Sequence, residues 1–224
     1  MQAYDIFKNP KTSLAWKKKF AYKAAALCLE KYKKPIAAAL FYERLLLEQL
    51  NAPEILSFKE KKEVESSLAE IYFYDLKSYR KAIRYYKESL EFTPYPKKKY
   101  QYQYQIAKSF FLLHKYEQSL RELQGISKKL LSLEDRASID ILKSSIYIAQ
   151  KNFKKAIPFL KQQIKKYPHK KSLFRESLAL IYEEKKQFRL AIRELEKISP
   201  PTPFVRQKIN WLYDRFRNQP GVRF

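Results

Sequence analysis

The sequence predicts an all-α fold, a solenoid of antiparallel helical hairpins closed by a C-terminal capping helix. Three observations support this prediction: a near absence of glycine, small and large residues that recur at a fixed interval, and apolar residues spaced three and four apart. Only Gly125 and Gly221 occur among the 224 residues, whereas sheet hairpins and phosphate-binding loops need many glycines. With 46% hydrophobic residues, the chain can bury an ordinary globular core.

A small residue recurs along the chain at Ala82, Ser119, Ala156 and Ala191, at intervals of 37, 37 and 35 residues. An aromatic residue stands three positions before each of them, and a large side chain stands four positions after. These residues share one face of a helix, where a small side chain lets a second helix approach closely. A fixed period of this length is typical of a solenoid. The aromatic residues are Tyr79, Tyr116, Phe153 and Phe188, and the large ones are Tyr86, Leu123, Leu160 and Leu195.

Another helix is predicted upstream of each copy, with its own small residue followed three positions later by an aromatic one. Each repeat is therefore expected to be a hairpin whose two helices meet at their small residues. Prolines at Pro94, Pro168 and Pro200 are expected to end the second helices. The first repeat has an extra residue in its turn, between Asp75 and Tyr79, and the segment after Gly125 lacks a closing proline. The upstream pairs are Ala69 with Tyr72, Ala107 with Phe110, Ser144 with Tyr147, and Ala179 with Tyr182.

This pattern resembles the tetratricopeptide repeat family, in which a small residue and a tyrosine in the first helix precede an aromatic, an alanine, a bulky residue and a proline. Four units covering about Glu60 to Pro201 match it. The resemblance implies a right-handed superhelix whose first helices line a concave groove and whose second helices form the convex back. It is specific for the architecture and implies no particular function.

The ends of the chain are expected to complete a single solenoid over residues 1–219. Residues 1–57 read as a divergent N-terminal helical pair, because the residue nine before Tyr32 is Lys23 and not a small one. The four repeats occupy residues 58–203. A capping helix over 204–219 shows an amphipathic period through Phe204, Ile209, Leu212 and Phe216, and residues 220–224 are expected to be a flexible tail.

The sequence predicts no catalytic residues, no metal, no cofactor and no small-molecule substrate. The two histidines, His114 and His169, occupy predicted turns and lack a partner at metal-ligand or nucleophile spacing. Cys28 is the single cysteine and lies in an apolar helical stretch, where a buried inert thiol is expected. No phosphate-binding loop or dinucleotide motif is present. We therefore expect the protein not to be an enzyme.

The strong positive charge raises the question of a polyanionic partner. The chain has 47 Lys and Arg against 23 Asp and Glu, a formal net charge of +24. Two interpretations stay open, because lysine, tyrosine and phenylalanine also accumulate under AT-rich coding and solvated helix faces accept lysine readily. A cationic face on the second helices could bind nucleic acid or an anionic membrane surface. Its predicted polyanion-binding residues are Arg80, Lys81, Arg84, Lys154, Lys155, Arg189 and Arg193.

Projection of the first helices from their small residues predicts a partner-binding groove with an apolar and aromatic middle and acidic sides. Only one groove residue, Lys108, is basic. This composition departs from the members of the family that grip acidic C-terminal peptides through several groove lysines, arginines and asparagines. The predicted groove residues are Glu70, Phe73, Tyr104, Lys108, Phe111, Ile141, Ile148 and Leu180.

These features favour a non-catalytic adaptor or scaffold that binds a peptide or helical segment of a protein partner in its groove. The alternative is a nucleic-acid-binding helical-repeat protein that uses the basic convex face, since 18 tyrosines and 15 phenylalanines could stack on bases. No apolar run approaches the length of a membrane span. A cytoplasmic location is expected, with membrane association possible, and a periplasmic one if an export signal precedes this sequence.

Overall fold

The computed structural model describes residues 6–7, 9, 11–91 and 93–218. The described part of the chain contains eleven α-helices and no β-strand, which confirms the all-α prediction. No helix among these residues is long and apolar enough to cross a membrane. The helices are α1 Leu14–Glu30, α2 Pro35–Asn51, α3 Phe58–Glu70, α4 Tyr79–Leu90, α5 Pro96–Leu112, α6 Tyr116–Gln124, α7 Leu133–Ala149, α8 Phe153–Lys166, α9 Lys171–Glu184, α10 Phe188–Glu196 and α11 Pro203–Arg217.

The chain forms two compact units, Met1–Ser127 and Lys128–Phe224. The first unit contains hairpins α1/α2, α3/α4 and α5/α6, and the second contains hairpins α7/α8 and α9/α10 followed by α11. The boundary falls in the proline-free segment after Gly125. A continuous solenoid over residues 1–219 stays a prediction, and the tail predicted at 220–224 lies outside the described residues.

The recurring small residues lie where the helices of each hairpin meet. Ala69, Ala82, Ala107 and Ala156 have no exposed surface, and the two serine replacements are also buried. Ser119 on α6 donates a hydrogen bond from its hydroxyl to the carbonyl of Ala107 on α5, over 2.7 Å. A serine therefore fits this narrow position, because its buried hydroxyl donates a hydrogen bond to a backbone carbonyl of the neighbouring helix.

All five hairpins have a left-handed residue at the same position of the turn. Two residues before each second helix, the backbone enters the left-handed region, with φ between 51° and 58°. In the α7/α8 turn, the N–H of Lys151 bonds to the carbonyl of Ile148, and the N–H of Asn152 bonds to that of Tyr147. This pair of bonds defines a Schellman motif, in which glycine usually takes the left-handed position. Here the left-handed residues are Lys33, Lys77, His114, Lys151 and Lys186.

The N-terminal helical pair has the same register as the repeats, a relationship that the sequence pattern measured from Tyr32 did not reveal. Its buried small residues are Ala25 on α1 and Ala38 on α2, and the buried Tyr42 follows Ala38 by four positions. The aromatic position after Ala25 is taken by Cys28. The position three before Ala38 is Pro35, so the α1/α2 hairpin is a fifth copy in which both key aromatics have been replaced.

The extra residue of the second hairpin lies within the first helix and not in the turn between Asp75 and Tyr79. Residues Ile71–Asp75 form a π-helical turn that directly continues α3. Such a turn accommodates one additional residue within a helix and changes the direction of the side chains around it. This local change alters the predicted groove.

The capping helix α11 covers the end of the second unit. The side chain of Thr202 accepts a hydrogen bond from the N–H of Val205 and caps the helix. Val205 and Leu212 are buried, while Ile209 and Phe216 pack against the core. The predicted amphipathic period placed Phe204 on the buried face. In the structure Phe204 is 67% exposed, and Val205 takes the buried position.

Candidate functional site

In the first unit, the groove prediction places Phe73 on the surface, but the structure buries it. Only 4% of Phe73 is exposed, and its ring packs edge-on against Tyr79 and Tyr86 at centroid distances of 5.7 and 6.4 Å. The π-helical turn that contains Phe73 accounts for this difference, since one extra residue rotates the side chains that follow. Phe73 therefore supports the hairpin core and offers little contact area.

Tyr74, which the sequence analysis missed, takes the exposed position next to Phe73. Half of Tyr74 is exposed, and its hydroxyl accepts a hydrogen bond from Gln105 on α5 over 2.5 Å. The spacing of 13 residues between Ala69 and Ala82, against 12 in the later hairpins, indicates one additional residue but not whether the helix or the turn contains it.

Three other predicted residues of the first unit lie beside Tyr74. Tyr104 is half-buried. Its burial and, to a smaller extent, the nearby Tyr74 raise the pKa of its hydroxyl. Glu70 retains exposed surface, yet burial of its carboxyl raises the pKa, with an opposing effect from Lys98. The Lys108 ammonium lies 5.6 Å from the centre of the Phe73 ring. Together, Glu70, Tyr74, Tyr104, Gln105 and Lys108 form what we call the α3/α5 surface.

The fifth predicted residue of the first unit, Phe111, lies near the end of α5. It is half-buried, and its ring centroid is 5.9 Å from that of Tyr116 at the start of α6. The contact places Phe111 at the turn of the third hairpin. Only part of its ring is accessible.

In the second unit, the predicted residues divide between core and surface. Ile141 and Ile148 on α7 are half-buried and pack against the hydrophobic core. Leu180 on α9 is 45% exposed. Leu180 thus has the largest accessible apolar side chain among the groove residues predicted for this unit.

Leu180 lies in a groove of about 310 Å³ between α9 and α11. Its apolar wall includes Leu173 and Phe204, which the sequence analysis did not assign to a groove. Two carboxylates also line it: Glu183 pairs with Lys208 on α11 at 2.8 Å, and Glu176 is exposed. We call this depression the α9/α11 groove.

Two of the three residues predicted for the basic face of the first unit, Lys81 and Arg84, make ion pairs within the chain. The Lys81 ammonium donates a hydrogen bond to the Tyr72 hydroxyl over 2.9 Å and pairs with Glu43 at 3.3 Å. The Tyr72 bond is the main reason why the pKa of Lys81 is raised. Arg84 pairs with Glu88 at 3.4 Å and stacks on the Tyr85 ring. Arg80 is exposed.

In the second unit, Lys154 and Lys155 on α8 and Arg189 and Arg193 on α10 are all exposed. Among the described residues, none of the four has a carboxylate within salt-bridge distance. The two arginines line a cleft of about 560 Å³ between α10 and α11, together with Leu190, Ile192, Glu196, Tyr213 and Phe216. The Tyr213 hydroxyl donates a hydrogen bond to Glu196 over 2.7 Å.

A buried carboxylate, Asp140 on α7, holds the fourth hairpin together electrostatically. It pairs with Lys166 at 2.9 Å and Lys128 at 3.3 Å, and it accepts a hydrogen bond from the Tyr167 hydroxyl over 2.8 Å. Burial alone would raise the pKa of Asp140, but the bonds from Lys166 and Tyr167 and the lysine charges outweigh it. The pKa of Asp140 is therefore lowered.

Among the described residues, no group of three or more His, Cys, Asp or Glu side chains could hold a metal ion. His114 lies in the α5/α6 turn, where Nδ1 is 2.9 Å from the Tyr116 hydroxyl. His169 lies in the short helical turn Pro168–Lys170, 3.4 Å from Glu134. Both histidines therefore occupy the turn positions that the sequence predicted.

The fold defines an all-helical protein built from repeated antiparallel hairpins, with candidate binding surfaces on its first helices. Its structure is similar to that of RapI, solved in the apo form, with a TM-score of 0.66 and 16% sequence identity. RapI has a TPR-like helical-repeat fold, and the likeness shows that fold for this chain. The match covers 95% of this chain and 58% of RapI, so the chain spans less than two thirds of that protein.

No protein-family model matches the sequence, and no curated protein matches it. The helical-repeat part of the sequence interpretation is confirmed by the fold. Membership of the tetratricopeptide repeat family stays a prediction.

Proposed function

We propose that this protein is a non-catalytic adaptor that binds a peptide or helical segment of a protein partner. The observation that carries the proposal is the α9/α11 groove, in which the exposed side chains of Leu173, Leu180 and Phe204 come together. Exposed apolar side chains that converge on a concave surface mark interaction sites more often than scattered ones do. The TPR-like fold supports the proposal, since helical repeats present extended surfaces for binding.

The partner segment would place an apolar side chain against Leu180 and Phe204. Glu176 contributes a carboxylate at the same groove, which favours a lysine or arginine in that segment. The α3/α5 surface offers a second aromatic contact area, with Tyr74 and Tyr104 in place of the buried Phe73.

The test replaces Leu180 by glutamate and compares it with Leu133→Glu, since both leucines are exposed in the same unit, at 45% and 63%, and Leu133 lines neither groove. Proteins are captured from a cell lysate with and without nuclease, and the binding segment is then titrated as a synthetic peptide. We expect Leu180→Glu to weaken peptide binding at least about tenfold, because a charge would be buried in an apolar contact. Equal affinity of the two variants would contradict the assignment of the groove.

One observation favours a second candidate function, nucleic-acid binding through the basic face. Arg189 and Arg193 flank a cleft with Tyr213 and Phe216, and its one carboxylate, that of Glu196, already accepts a bond from Tyr213. Arginines that neutralise phosphates make binding steeply dependent on salt, and aromatic rings stack on unpaired bases.

Binding of a single-stranded oligonucleotide at several salt concentrations tests this candidate. The double variant Arg189→Gln, Arg193→Gln should lower the slope of log K against log salt by about 1 to 2 if both arginines contact phosphates. Lys171→Gln combined with Lys185→Gln makes the same charge change at two exposed positions away from the cleft. If both double variants lower the slope equally, the positive charge acts without a defined site.

A further inference from the structure

Helix α2 carries a second apolar face in addition to the one that it buries. Ile36, Leu40, Leu47 and Leu50 are exposed by 65%, 44%, 47% and 78%. Their spacing of four, seven and three residues places them along one side of the helix, with Glu43 between them. We call these four residues the α2 stripe. A spacing of this kind is typical of a seam between two packed helices.

The α2 stripe lies in the part of the chain that is poorest in positive charge. Residues 35–58 contain no lysine and one arginine, in a chain with 47 Lys and Arg. Two copies of a protein with a net charge of +24 repel each other over most of their surfaces. Close approach is favoured where basic residues are few or are paired with carboxylates, as Lys81 is with Glu43, and depletion of lysine is a feature of protein–protein interfaces.

The two ends of α2 carry opposite charges and differ in their surroundings. Lys33 and Lys34 precede its first residue, and the exposed Glu54 follows its last turn. Beside the Leu47 and Leu50 end, a groove of about 660 Å³ opens between α2, α3 and α4. At the opposite end, Ile36 projects with most of its side chain exposed.

From these features we propose that the α2 stripe is a homodimer interface in which the α2 helices of two copies pack antiparallel. Ile36 and Leu50 lie about 21 Å apart along the helix, so a two-fold axis near Glu43 sets Ile36 of one copy against Leu50 of the other. The same axis sets Lys34 of each copy near Glu54 of the second copy. An antiparallel arrangement also opposes the two helix dipoles.

The central position of Glu43 does not prevent this pairing. Its carboxylate accepts hydrogen bonds from Tyr72 and Tyr85 over 2.7 and 3.1 Å and pairs with Lys81 at 3.3 Å. These contacts lower the pKa of Glu43 despite the opposing effect of burial. Lys81 therefore balances the negative charge of Glu43 within each copy, whether or not the dimer forms.

Sedimentation of the full chain over a range of concentrations tests the proposal. We expect a concentration-dependent dimer, and Ile36→Glu should raise its dissociation constant at least about tenfold because it buries a charge in the seam. The matched control is Leu133→Glu, a position with 63% exposure in the second unit, which should leave the dimer unchanged. Circular dichroism checks that both variants keep their helices.

Charge exchange provides an independent test of the antiparallel geometry. Lys34→Glu or Glu54→Lys alone should weaken the dimer, and the two changes in one chain should restore it, because each pair then carries opposite charges again. A chain that stays monomeric up to about 0.5 mM, where even weak interfaces associate, would overturn the proposal. So would a dimer that is insensitive to Ile36→Glu.

The same variants separate a second copy from a lipid surface as the occupant of the stripe. If the chain is monomeric and binds vesicles that contain phosphatidylserine, and Ile36→Glu abolishes that binding, the stripe belongs to a membrane contact and the homodimer is wrong. This outcome is independent of the adaptor function, whose test depends on Leu180 in the other unit.

Discussion

Lysine and histidine take the left-handed position in all five hairpin turns, where glycine is the usual residue. A side chain in this conformation costs roughly 1 kcal/mol relative to a right-handed one, because Cβ approaches the backbone. The scarcity of glycine that predicts a helical protein therefore also means that each turn retains some conformational strain. The repetition of this strain at Lys33, Lys77, His114, Lys151 and Lys186 shows that the hairpin geometry, and not the local residue, determines the turn.

Lys151→Gly should stabilise the second unit by about 0.5–1 kcal/mol, since glycine adopts the left-handed conformation without strain. Urea denaturation followed by circular dichroism measures the change. Lys161→Gly makes the same substitution at an exposed interior position of α8 and should instead destabilise by about 1 kcal/mol. Changes of the same sign in both variants would contradict the role given to the turn.

Asp140 makes the stability of the second unit depend on pH. The pKa of its carboxyl is lower in the folded protein than in the unfolded chain, where it is about 3.9. The ionised carboxylate therefore stabilises the folded state at pH values above the unfolded pKa. This contribution is lost as the pH falls through the lower, folded pKa.

Asp140→Asn should destabilise the protein at pH 7 by about 1–3 kcal/mol, because it removes two ion pairs and weakens the acceptor for the buried Tyr167 hydroxyl. The difference from the unchanged protein should shrink when unfolding is measured below pH 4. Asp214→Asn, at an exposed position of α11, should change stability by less than about 0.5 kcal/mol at every pH. A gap that stays constant with pH would show that the charge of Asp140 is not responsible.

Among the helices, the cap α11 shows how one element can serve both stability and binding. Its buried face closes the core through Val205 and Leu212, and its exposed side supplies Phe204 to the α9/α11 groove. Lys208 links the two roles, because it pairs with Glu183 on α9 and lies 4.4 Å from the centre of the Trp211 ring.

Leu212→Ala should lower the free energy of unfolding by about 2–5 kcal/mol, since the side chain is fully buried and its removal leaves a cavity. Thermal or urea unfolding followed by circular dichroism measures this loss. Tyr213→Ala, the neighbouring exposed position, should cost much less. Similar losses in both variants would mean that α11 does not close the core as described.

The π-helical turn after α3 illustrates how a one-residue insertion changes a predicted surface. The extra residue is evident from the sequence, but its predicted place was the turn, where it would leave Phe73 on the groove side. Placed within the helix, the same residue turns Phe73 into the core and exposes Tyr74. Periodicity alone cannot locate an insertion within a hairpin, because helix and turn can each accommodate it.

The net charge of +24 acts on the protein as a whole and should make its stability depend on salt. Like charges repel more strongly in the compact state than in the expanded unfolded chain. Raising the ionic strength from about 0.01 M to about 0.15 M shortens the screening length from about 30 Å to about 8 Å. We therefore expect the thermal midpoint to rise over this interval.

Replacement of Lys154 and Lys155 by glutamine should reduce this dependence on salt, because two uncompensated charges are removed from α8. Differential scanning calorimetry in sodium chloride measures both effects. A midpoint that falls with added salt would show that attractive pairs such as Arg175–Glu194, at 2.9 Å, outweigh the general repulsion.

The helical hairpins and their contacts were determined by local sequence. Small residues recur at the helix crossings, prolines mark the helix ends, and these signals depend on spacing within a single repeat. Even the N-terminal pair has small residues at its helix crossing once its register is measured from Ala25. The fold could therefore be predicted, because close packing at Ala82 or Ala156 depends on nearby residues of the same hairpin.

Only the tertiary structure decided which side chains reach a surface together. It buried Phe73, paired Lys81 with Glu43, and brought Phe204 of the cap beside Leu180 of α9. Each of these outcomes depends on the exact rotation of a helix or on a contact between residues distant in sequence, and an error of one residue turns a helical side chain by about 100°. The sequence pattern therefore identified the architecture, while three-dimensional packing determined the candidate binding sites.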